Sequence, residues 1–392
     1  MLLAQTKPPW KYIEFFKSPI VFQCNTWQKD IPLPALEYGE WLDTTPPELI
    51  LLKSKIGEKE QENNWDLAKR VTNPYELIFT NSKHVDLPES ISIIKPLSRS
   101  FFKLIEILEI TKFFDTVKAT KYRSLHLCEG PGGFIEAFID RAQKYKKNIQ
   151  SIHAMTLRQT NHNIPGWRAA SRFLARHPEI HIEYGPSLTG NIMLEENQNY
   201  LSAKMKKSIH LVTADGGFDF SIDFSAQEKL VFPLLVASAF IALSCLAPGG
   251  MFVLKIFDVH SPVTEQFIAF LAIHFREFTI YKPVTSRPCN SERYFVGIGF
   301  RNFPAESIAL FRELIVQKKD LTSIWNNDIS NKIIKDITPT IEKYVDEQKI
   351  ALQRLLGLSS FTRKSELDDL WSIQEQLCKQ WCETFHVPSR RI

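Results

Sequence analysis

The sequence lacks the motifs that identify several common classes of protein. Neither GxGxxG nor GxxxxGK(S/T) occurs, which disfavours dinucleotide binding and P-loop nucleotide binding. The cysteines form no CxxC pair and no CxxC…HxxxH spacing, which argues against the common zinc sites and favours free thiols in a reducing compartment. The six cysteines are Cys24, Cys128, Cys245, Cys289, Cys378 and Cys382.

Long apolar runs and a dominant sign of charge are also missing. No apolar run has the expected length of a membrane span, and Pro8 and Pro9 interrupt the N-terminus, so we predict no signal peptide. We therefore expect a soluble intracellular protein, cytoplasmic, or nuclear in a eukaryote. The net charge of +4 permits nucleic-acid binding but does not by itself argue for it.

The length of 392 residues predicts two or three compact units. Residues 1–97 are rich in proline and aromatic residues and predict an irregular N-terminal region with short helices. Strand-like and helical patterns alternate over 98–302, whereas 303–392 reads as a C-terminal helical region. The alternation predicts an α/β domain with a doubly wound, mostly parallel sheet, and the segments 278–284 and 293–300 predict an antiparallel hairpin at its edge.

A glycine-rich turn with the sequence LCEGPGGF spans Leu127–Phe134, between a predicted strand and a predicted helix. Glycines let the backbone approach a ligand closely, and the following helix N-terminus offers free N–H groups to a negative group. In α/β sheets ligands bind at the carboxyl ends of strands, where this turn lies. The pattern predicts a small-molecule site, although such turns also occur as structural loops.

Two charged residues lie in or directly after apolar strands. Asp215 ends the predicted strand in VTADGGFD and is either a site residue or a turn or helix-capping aspartate. Lys255 lies inside MFVLKIF, where burial without a partner is costly and lowers the pKa of a lysine. Its partner is either Asp215 or Asp258, unless Lys255 belongs to an edge strand and faces solvent.

Together these segments resemble the FtsJ-like (RrmJ-type) methyltransferases, which methylate ribose 2′-oxygens. Within that family the resemblance is to the cap-specific mRNA 2′-O-methyltransferases, above all the branch that acts on the second transcribed nucleotide (cap 2). The collinear stretches that carry it, within residues 98–300, are HLCEGPGGFI, AMTLRQTNHNIPGW, YGPSLTGNIM, HLVTADGGFDF, GGMFVLKIF and KPVTSRPCNSERYFV. The resemblance implies a Rossmann-like fold, S-adenosyl-L-methionine as cofactor, an RNA substrate, and no metal.

The resemblance also implies a catalytic tetrad of Lys103, Asp215, Lys255 and Glu292. A ribose hydroxyl must lose its proton as it attacks the methyl group. We expect burial and Lys103 to lower the pKa of Lys255, which then acts as general base or holds the oxygen while it ionises. Asp215 and Glu292 would orient the two lysines and offset their mutual repulsion.

The family resemblance places the cofactor on two segments. The methionine end is expected on the glycine turn and Asp215, and the nucleoside end on a segment in which Asn191 stands where the family usually has aspartate. The turn residues are Glu129, Gly130, Pro131, Gly132, Gly133 and Phe134, and the second segment contributes Gly185, Pro186, Thr189, Gly190, Asn191 and Ile192.

For RNA we expect contacts from the polar loop between the last two predicted strands, although that loop is equally typical of a solvated hairpin. The predicted RNA-binding residues are Arg158, Lys282, Ser286, Arg287, Asn290 and Ser291; further basic candidates are Lys121, Arg123 and Arg168, and candidate stacking aromatics are Tyr122, Trp167 and Tyr294. A ribosomal or transfer RNA 2′-O-methyltransferase is the alternative enzyme. A catalytically inactive RNA- or partner-binding relative is the alternative of another class.

Overall fold

The computed structural model describes residues 20–23, 34–59, 65–80, 88–159, 166–217, 227–316, 319–358 and 364–390. Phe218 and Asp219, which belong to the VTADGGFD segment, lie outside the described residues, as does Cys24.

Most strands of the described chain join one large central sheet. In chain order the strands are β1 (Phe22–Gln23), β2 (Glu37–Tyr38), β3 (Tyr122–Leu127), β4 (Ile149–Met155), β5 (Ile180–Glu183), β6 (Ile209–Ala214), β7 (Leu246–Ile256), β8 (Phe275–Tyr281), β9 (Arg293–Phe300) and β10 (Leu321–Ser323). The large sheet has the order β1-β8-β9-β7-β6-β3-β4-β5, and β2 pairs separately with β10. The neighbours from β7 to β5 are parallel, whereas β9 is antiparallel to β7 and β8, which confirms the mostly parallel α/β sheet.

Helices cover both faces of this sheet. They are α1 (Pro47–Lys59), α2 (Trp65–Val71), α3 (Ser100–Ile110), α4 (Phe113–Thr116), α5 (Gly133–Lys144), α6 (Ser171–Arg176), α7 (Glu195–Lys204), α8 (Gln227–Cys245), α9 (Pro262–Ala272), α10 (Ser307–Val316), α11 (Asp328–Leu358) and α12 (Lys364–Thr384), with 3-10 turns at Glu76–Ile78 and Trp167–Ala170. Apolar residues of α3, α5, α6 and α12 form a core on one face, and those of α7 to α11 form a second core on the other. The sheet is therefore doubly wound, as predicted.

The predicted antiparallel hairpin forms at one end of the sheet. β9 lies between β7 and β8, and the two-residue β1 adds to the outer side of β8 through Phe22 and Phe278, whose rings lie 5.2 Å apart. The edge of the sheet is therefore antiparallel, as predicted, but its outermost strand comes from the N-terminal region, which has no strong sequence signal for a strand.

The expectation that no apolar run has the length of a membrane span was wrong for α8. With 19 residues, α8 is long and apolar enough to cross a membrane, but 78% of its most apolar stretch is buried inside the protein. α8 packs between the sheet and α10, so its apolar character is explained by its burial within the protein.

Both flanking regions pack onto the central domain and onto each other. β2 of the N-terminal region pairs with β10 of the C-terminal region, and Ser92 forms a bridge with Ser389. α12 packs against the 3-10 turn Glu76–Ile78. The three-part division at residues 97 and 302 stays a prediction.

One side chain of the central domain holds the chain that leaves β10. The buried Gln266 on α9 accepts hydrogen bonds at its Oε1 from Ser323 Oγ, Ile324 N and Trp325 N, at 3.0, 2.7 and 3.0 Å. Replacing it with leucine leaves three buried donors without that acceptor. We expect Gln266→Leu to lower the free energy of unfolding by about 2–4 kcal/mol.

The measurement is urea denaturation of Gln266→Leu beside Gln353→Leu, which removes an exposed glutamine bonded to Glu48. The control should stay within about 0.5 kcal/mol of the unaltered protein. Equal stability of the two variants would contradict the role assigned to Gln266.

Candidate active site

Strand register brings three charged residues to one edge of the sheet. Asp215 directly follows β6, Lys255 is the penultimate residue of β7, and Glu292 directly precedes β9. β6 and β7 are parallel, and β9 is antiparallel with Tyr294 opposite Lys255, so all three residues lie at the carboxyl edge. The sheet order reverses at β3 and β6, which is where α/β folds bind ligands.

Two ion pairs hold these residues, one between β7 and the end of β6 and one to α3. Lys255 Nζ lies 3.2 Å from Asp215 Oδ1, and Lys103 Nζ lies 2.6 Å from Glu292 Oε1. The four side chains are between 9% and 15% exposed, so they are largely removed from water yet open to a ligand at this edge. The structure thus brings the four predicted tetrad residues together.

The pairing corrects the expectation about the pKa of Lys255. Burial lowers that pKa, but the carboxylates of Asp215 and Glu292 outweigh burial and raise it above the ordinary value. Asp258 is not the partner, because it binds Lys53 at 2.7 Å. Nor does Lys255 lie on an edge strand, since β7 is paired on both sides.

Glu292 has the opposite balance. Burial alone would raise the pKa of Glu292, but the positive charges of Lys103 and Lys255 outweigh burial and hold it below the ordinary value. Ser286 Oγ also donates a hydrogen bond of 2.7 Å to Glu292 Oε1. Glu292 is therefore a stable anion between two cations.

Tyr294 has a different role from the stacking expected of it. Its ring is fully buried, and its hydroxyl donates to Asp215 Oδ1 at 2.8 Å, the oxygen that also faces Lys255. Burial and the Asp215 carboxylate raise the pKa of Tyr294 well above its usual range. Tyr122 is likewise buried and unavailable for stacking, whereas Trp167 is half-buried and lies beside Gly132.

The polar loop before β9 is organised by its own side chains. Lys282 Nζ donates to Asn290 Oδ1 and to the carbonyl oxygens of Asn290 and Glu292, at 2.7–3.0 Å. Burial and the Arg293 guanidinium lower the pKa of Lys282 to about 7. Ser291 Oγ donates to Gln227 Oε1.

Two more residues predicted to bind RNA have protein partners as well. Arg287, which is 43% exposed, lies 3.2 Å from the buried Glu76 of the N-terminal region. Arg158 is exposed, and its guanidinium lies 5.7 Å from the centre of the Tyr184 ring. Contact of these residues with RNA stays a prediction.

Glu106 holds this loop in place, and it was not predicted from the sequence. Its fully buried carboxylate accepts hydrogen bonds from Tyr281 Oη, Val284 N, Thr285 N and Thr285 Oγ1, at 2.6–3.0 Å. A fifth donor is Trp381 Nε1 of α12, at 3.0 Å. Because Glu106 follows Lys103 by one turn of α3, it fixes the loop relative to the helix that carries Lys103.

The glycine turn presents an unsatisfied acid at the same edge. Glu129 is buried, and its Oε1 accepts from Phe134 N at 2.6 Å, but Oε2 has no hydrogen-bond partner among the described residues. Burial and the nearby Asp215 raise the pKa of Glu129 well above its usual range. An open buried carboxyl oxygen of this kind fits a cationic group such as the ammonium of an amino acid.

The backbone of the turn is arranged for a close approach. Gly132 has φ 116°, which side chains rarely adopt, and Gly133 begins α5. Gly130 and Pro131 complete the turn after Glu129. The side chain of Phe134 is buried against Tyr294, so only its backbone N–H faces this turn.

The second cofactor segment closes over the end of β4. Gly190 has φ 67°, and a Cβ there would lie 1.9 Å from the Thr156 carbonyl oxygen. Asn191 Oδ1 accepts from Met193 N at 2.9 Å, and Ile192 is buried. Asn191, which is expected to lie at the nucleoside end of the cofactor, therefore uses its amide oxygen to stabilise its own turn in this structure.

The role of Glu106 can be measured through stability. Glu106→Gln replaces one carboxylate oxygen with an amide N–H₂ group, which cannot accept the hydrogen bonds that this oxygen accepts in the unaltered protein. We expect this to lower the free energy of unfolding by about 2–4 kcal/mol and to raise the rate of hydrogen exchange at Val284 and Thr285.

Glu342→Gln on the exposed surface of α11 is the matched control and should change the unfolding free energy by less than about 0.5 kcal/mol. Unchanged hydrogen exchange at the two loop amides in Glu106→Gln would refute the anchoring role.

Known proteins resemble this chain over the part that carries the site. Residues 96–300 match the FtsJ-like methyltransferase family. The cap-specific mRNA (nucleoside-2′-O-)-methyltransferase 1 of Trypanosoma cruzi is 30% identical over 68% of this chain and 78% of its own length. The corresponding methyltransferase 2 of Danio rerio is 33% identical over 65% of this chain, and methyltransferase 1 of Drosophila melanogaster is 28% identical over 65%.

The chain spans 35% of the Danio rerio relative and 33% of the Drosophila melanogaster relative. The relatives carry both the name methyltransferase 1 and the name methyltransferase 2, so the resemblance to the cap-2 branch stays a prediction. The match to residues 96–300 covers more than half of the chain and coincides with the strands and loops that build the site. The chain therefore belongs to the FtsJ-like methyltransferase family.

Proposed function

We propose that this protein transfers a methyl group from S-adenosylmethionine to a ribose 2′-oxygen of RNA near the 5′ cap of mRNA. The observation that carries the proposal is the pair of ion pairs Lys103–Glu292 and Lys255–Asp215, beside a glycine turn with an open buried acid. The relatives are cap-specific mRNA (nucleoside-2′-O-)-methyltransferases, which supports the cap as the place of methylation.

The residues at this edge fit the cofactor. The unpaired Oε2 of Glu129 is suited to the ammonium group, the backbone of Gly130–Gly133 to the methionine part, and the segment Gly185–Ile192 to the nucleoside. S-adenosylmethionine supplies a methyl group on a positively charged sulfur. The described residues contain no group of three or more histidine, cysteine, aspartate or glutamate side chains that could hold a metal.

Lys255 is placed to act on the 2′-hydroxyl. The hydroxyl is a weak nucleophile, and its proton must leave as the oxygen attacks carbon. Asp215 favours the protonated form of Lys255, which can hold the oxygen by a hydrogen bond but cannot accept its proton. The reaction therefore uses the neutral form, whose amine takes the hydroxyl proton as the oxygen attacks carbon. Asp215, held by Tyr294, keeps the lysine aimed at the oxygen.

Lys103 and Glu292 complete the site by orientation. The negative charge of Glu292 interacts with both lysines and offsets their mutual repulsion. Ser286 and the main chain of its loop hold Glu292 in place. Positioning of this kind accounts in general for up to about 7–11 kcal/mol of a barrier.

Incubation with labelled S-adenosylmethionine and a panel of capped, uncapped and structured RNAs tests the proposal. We expect label on a ribose 2′-oxygen near the cap, and about a 10³-fold loss of rate in Lys255→Ala with cofactor binding retained. Lys332→Ala, an exposed lysine on α11, is the matched control.

Label on ribosomal or transfer RNA alone would favour the alternative enzyme. No label on any RNA, or wild-type rate in Lys255→Ala, would refute the proposed reaction.

The pH dependence tests the function of Lys255 separately. Asp215 raises the pKa of Lys255, so Asp215→Asn lowers that pKa and makes the neutral amine available at lower pH. We expect kcat/KM to rise with pH in both proteins, and its rising limb to shift to lower pH in the variant while the maximum falls.

Tyr294→Phe, which removes a hydrogen bond to Asp215 without removing the charge, is the matched control and should move the limb much less. If the rising part of the pH profile of kcat/KM stays at the same pH in Asp215→Asn, Lys255 is not the titrating group.

A further inference from the structure

The edge of the sheet opposite the active site is strongly basic. β6, β3 and β4 are adjacent and parallel, so the segments that enter them, 204–208, 117–123 and 144–148, lie together at the amino edge. These 17 residues contain nine lysines and arginines and no acidic residue. Since the whole chain has a net charge of +4, the remainder carries −5, and the basic excess is concentrated here.

The three segments form one continuous surface. Tyr122 N donates to the Asn148 carbonyl oxygen at 2.8 Å, which joins the segments before β3 and β4. Arg123 N donates to His210 Nδ1 at 3.0 Å, which joins the beginning of β3 to the beginning of β6, directly after the segment 204–208. We call this surface the basic edge.

Most of its cations have no acidic partner. Lys144 pairs with Glu109 and Lys204 with Glu183, so two of the nine charges are offset. Within the described residues, six lysines of the basic edge form no ion pair, and all are exposed except Lys147, which is half-buried. They are Lys118, Lys121, Lys146, Lys147, Lys206 and Lys207.

Surface lysines are commonly just solvated, but few acids lie near these six. Glu109 of α3 already binds Lys144 and the hydroxyl of Tyr145, and the adjacent α4 contributes one acid, Asp115, too few to neutralise six lysines. Tyr145 is 40% exposed at this surface, and its ring contacts Lys144 and Phe114. A dense cationic surface of this kind is typical of contacts with the nucleic-acid backbone.

We propose that the basic edge binds the phosphate backbone of the substrate RNA, beyond the nucleotides that enter the active site. This rests on the proposed function, because it takes RNA to be the substrate. β3 has six residues, which at about 3.3 Å each separate the basic edge from the active-site edge by roughly 20 Å. Only an RNA long enough to pass around the sheet reaches both, so the contact distinguishes long RNAs from short ones.

The test is the triple variant Lys121→Gln, Lys146→Gln, Lys206→Gln, with one substitution in each segment. The control is Lys332→Gln, Lys335→Gln, Lys343→Gln, which removes the same charge from the exposed face of α11. Binding of capped single-stranded RNAs of about five and about forty nucleotides is measured by fluorescence anisotropy at several salt concentrations, together with KM and kcat for each RNA.

For the basic-edge variant we expect the Kd for the long RNA to rise about tenfold, and the slope of log K against log salt to weaken by about 2. Binding of the short RNA and kcat should match the control. A long-RNA Kd and salt slope equal to those of the control would overturn the proposal, and would be the outcome if the basic edge instead served an acidic protein. The proposed function is judged apart from this: absence of methylation with weakened long-RNA binding would refute the reaction but not the binding surface.

Discussion

The carboxylate of Glu106 accepts five hydrogen bonds inside the protein, and the position of the loop before β9 depends on it. That loop carries Glu292 and Ser286, so the ion pair with Lys103 is formed only where Glu106 places the loop. One of the five donors is Trp381 of α12. The C-terminal helices therefore brace the site directly, in addition to covering the sheet. A buried carboxylate with five donors is costly to move, which makes the loop rigid.

Charge is distributed in two different ways on this molecule. At the carboxyl edge, cations and anions alternate over a few ångströms, so each lysine has a carboxylate and the pKa values of Lys255 and Glu292 move apart. At the amino edge, six lysines from three segments form no ion pair within the described residues, and only Lys144 and Lys204 have acidic partners there. Alternating charges orient each side chain toward one partner, and a reaction needs such fixed orientation. A cationic surface with few acidic partners attracts a polyanion of any sequence, and such contacts position a nucleic-acid chain without reading its sequence.

Local patterns predicted much of the fold. The glycine turn lies as expected between a strand, β3, and a helix, α5, and the strands expected at 278–284 and 293–300 are found at Phe275–Tyr281 and Arg293–Phe300. These succeed because the periodicity of apolar residues is a local property of the chain. The insertion of β9 between β7 and β8 and the extension of the sheet by β1 were missed, because strand order depends on contacts between distant segments. Glu106 left only a weak signal, an acid four residues after the buried Phe102.

The sequence by itself determined which residue types stand at the ends of the strands, and through family resemblance it predicted a tetrad of four residues. Only the tertiary structure decided which carboxylate meets which lysine. The register of β6 against β7 places Asp215 beside Lys255, whereas Asp258 lies beyond the strand and is bound by Lys53. The sign of the pKa shift of Lys255 followed from that pairing. Burial alone lowers the pKa of a lysine, and only the distance to a carboxylate, which the fold sets, can reverse the direction.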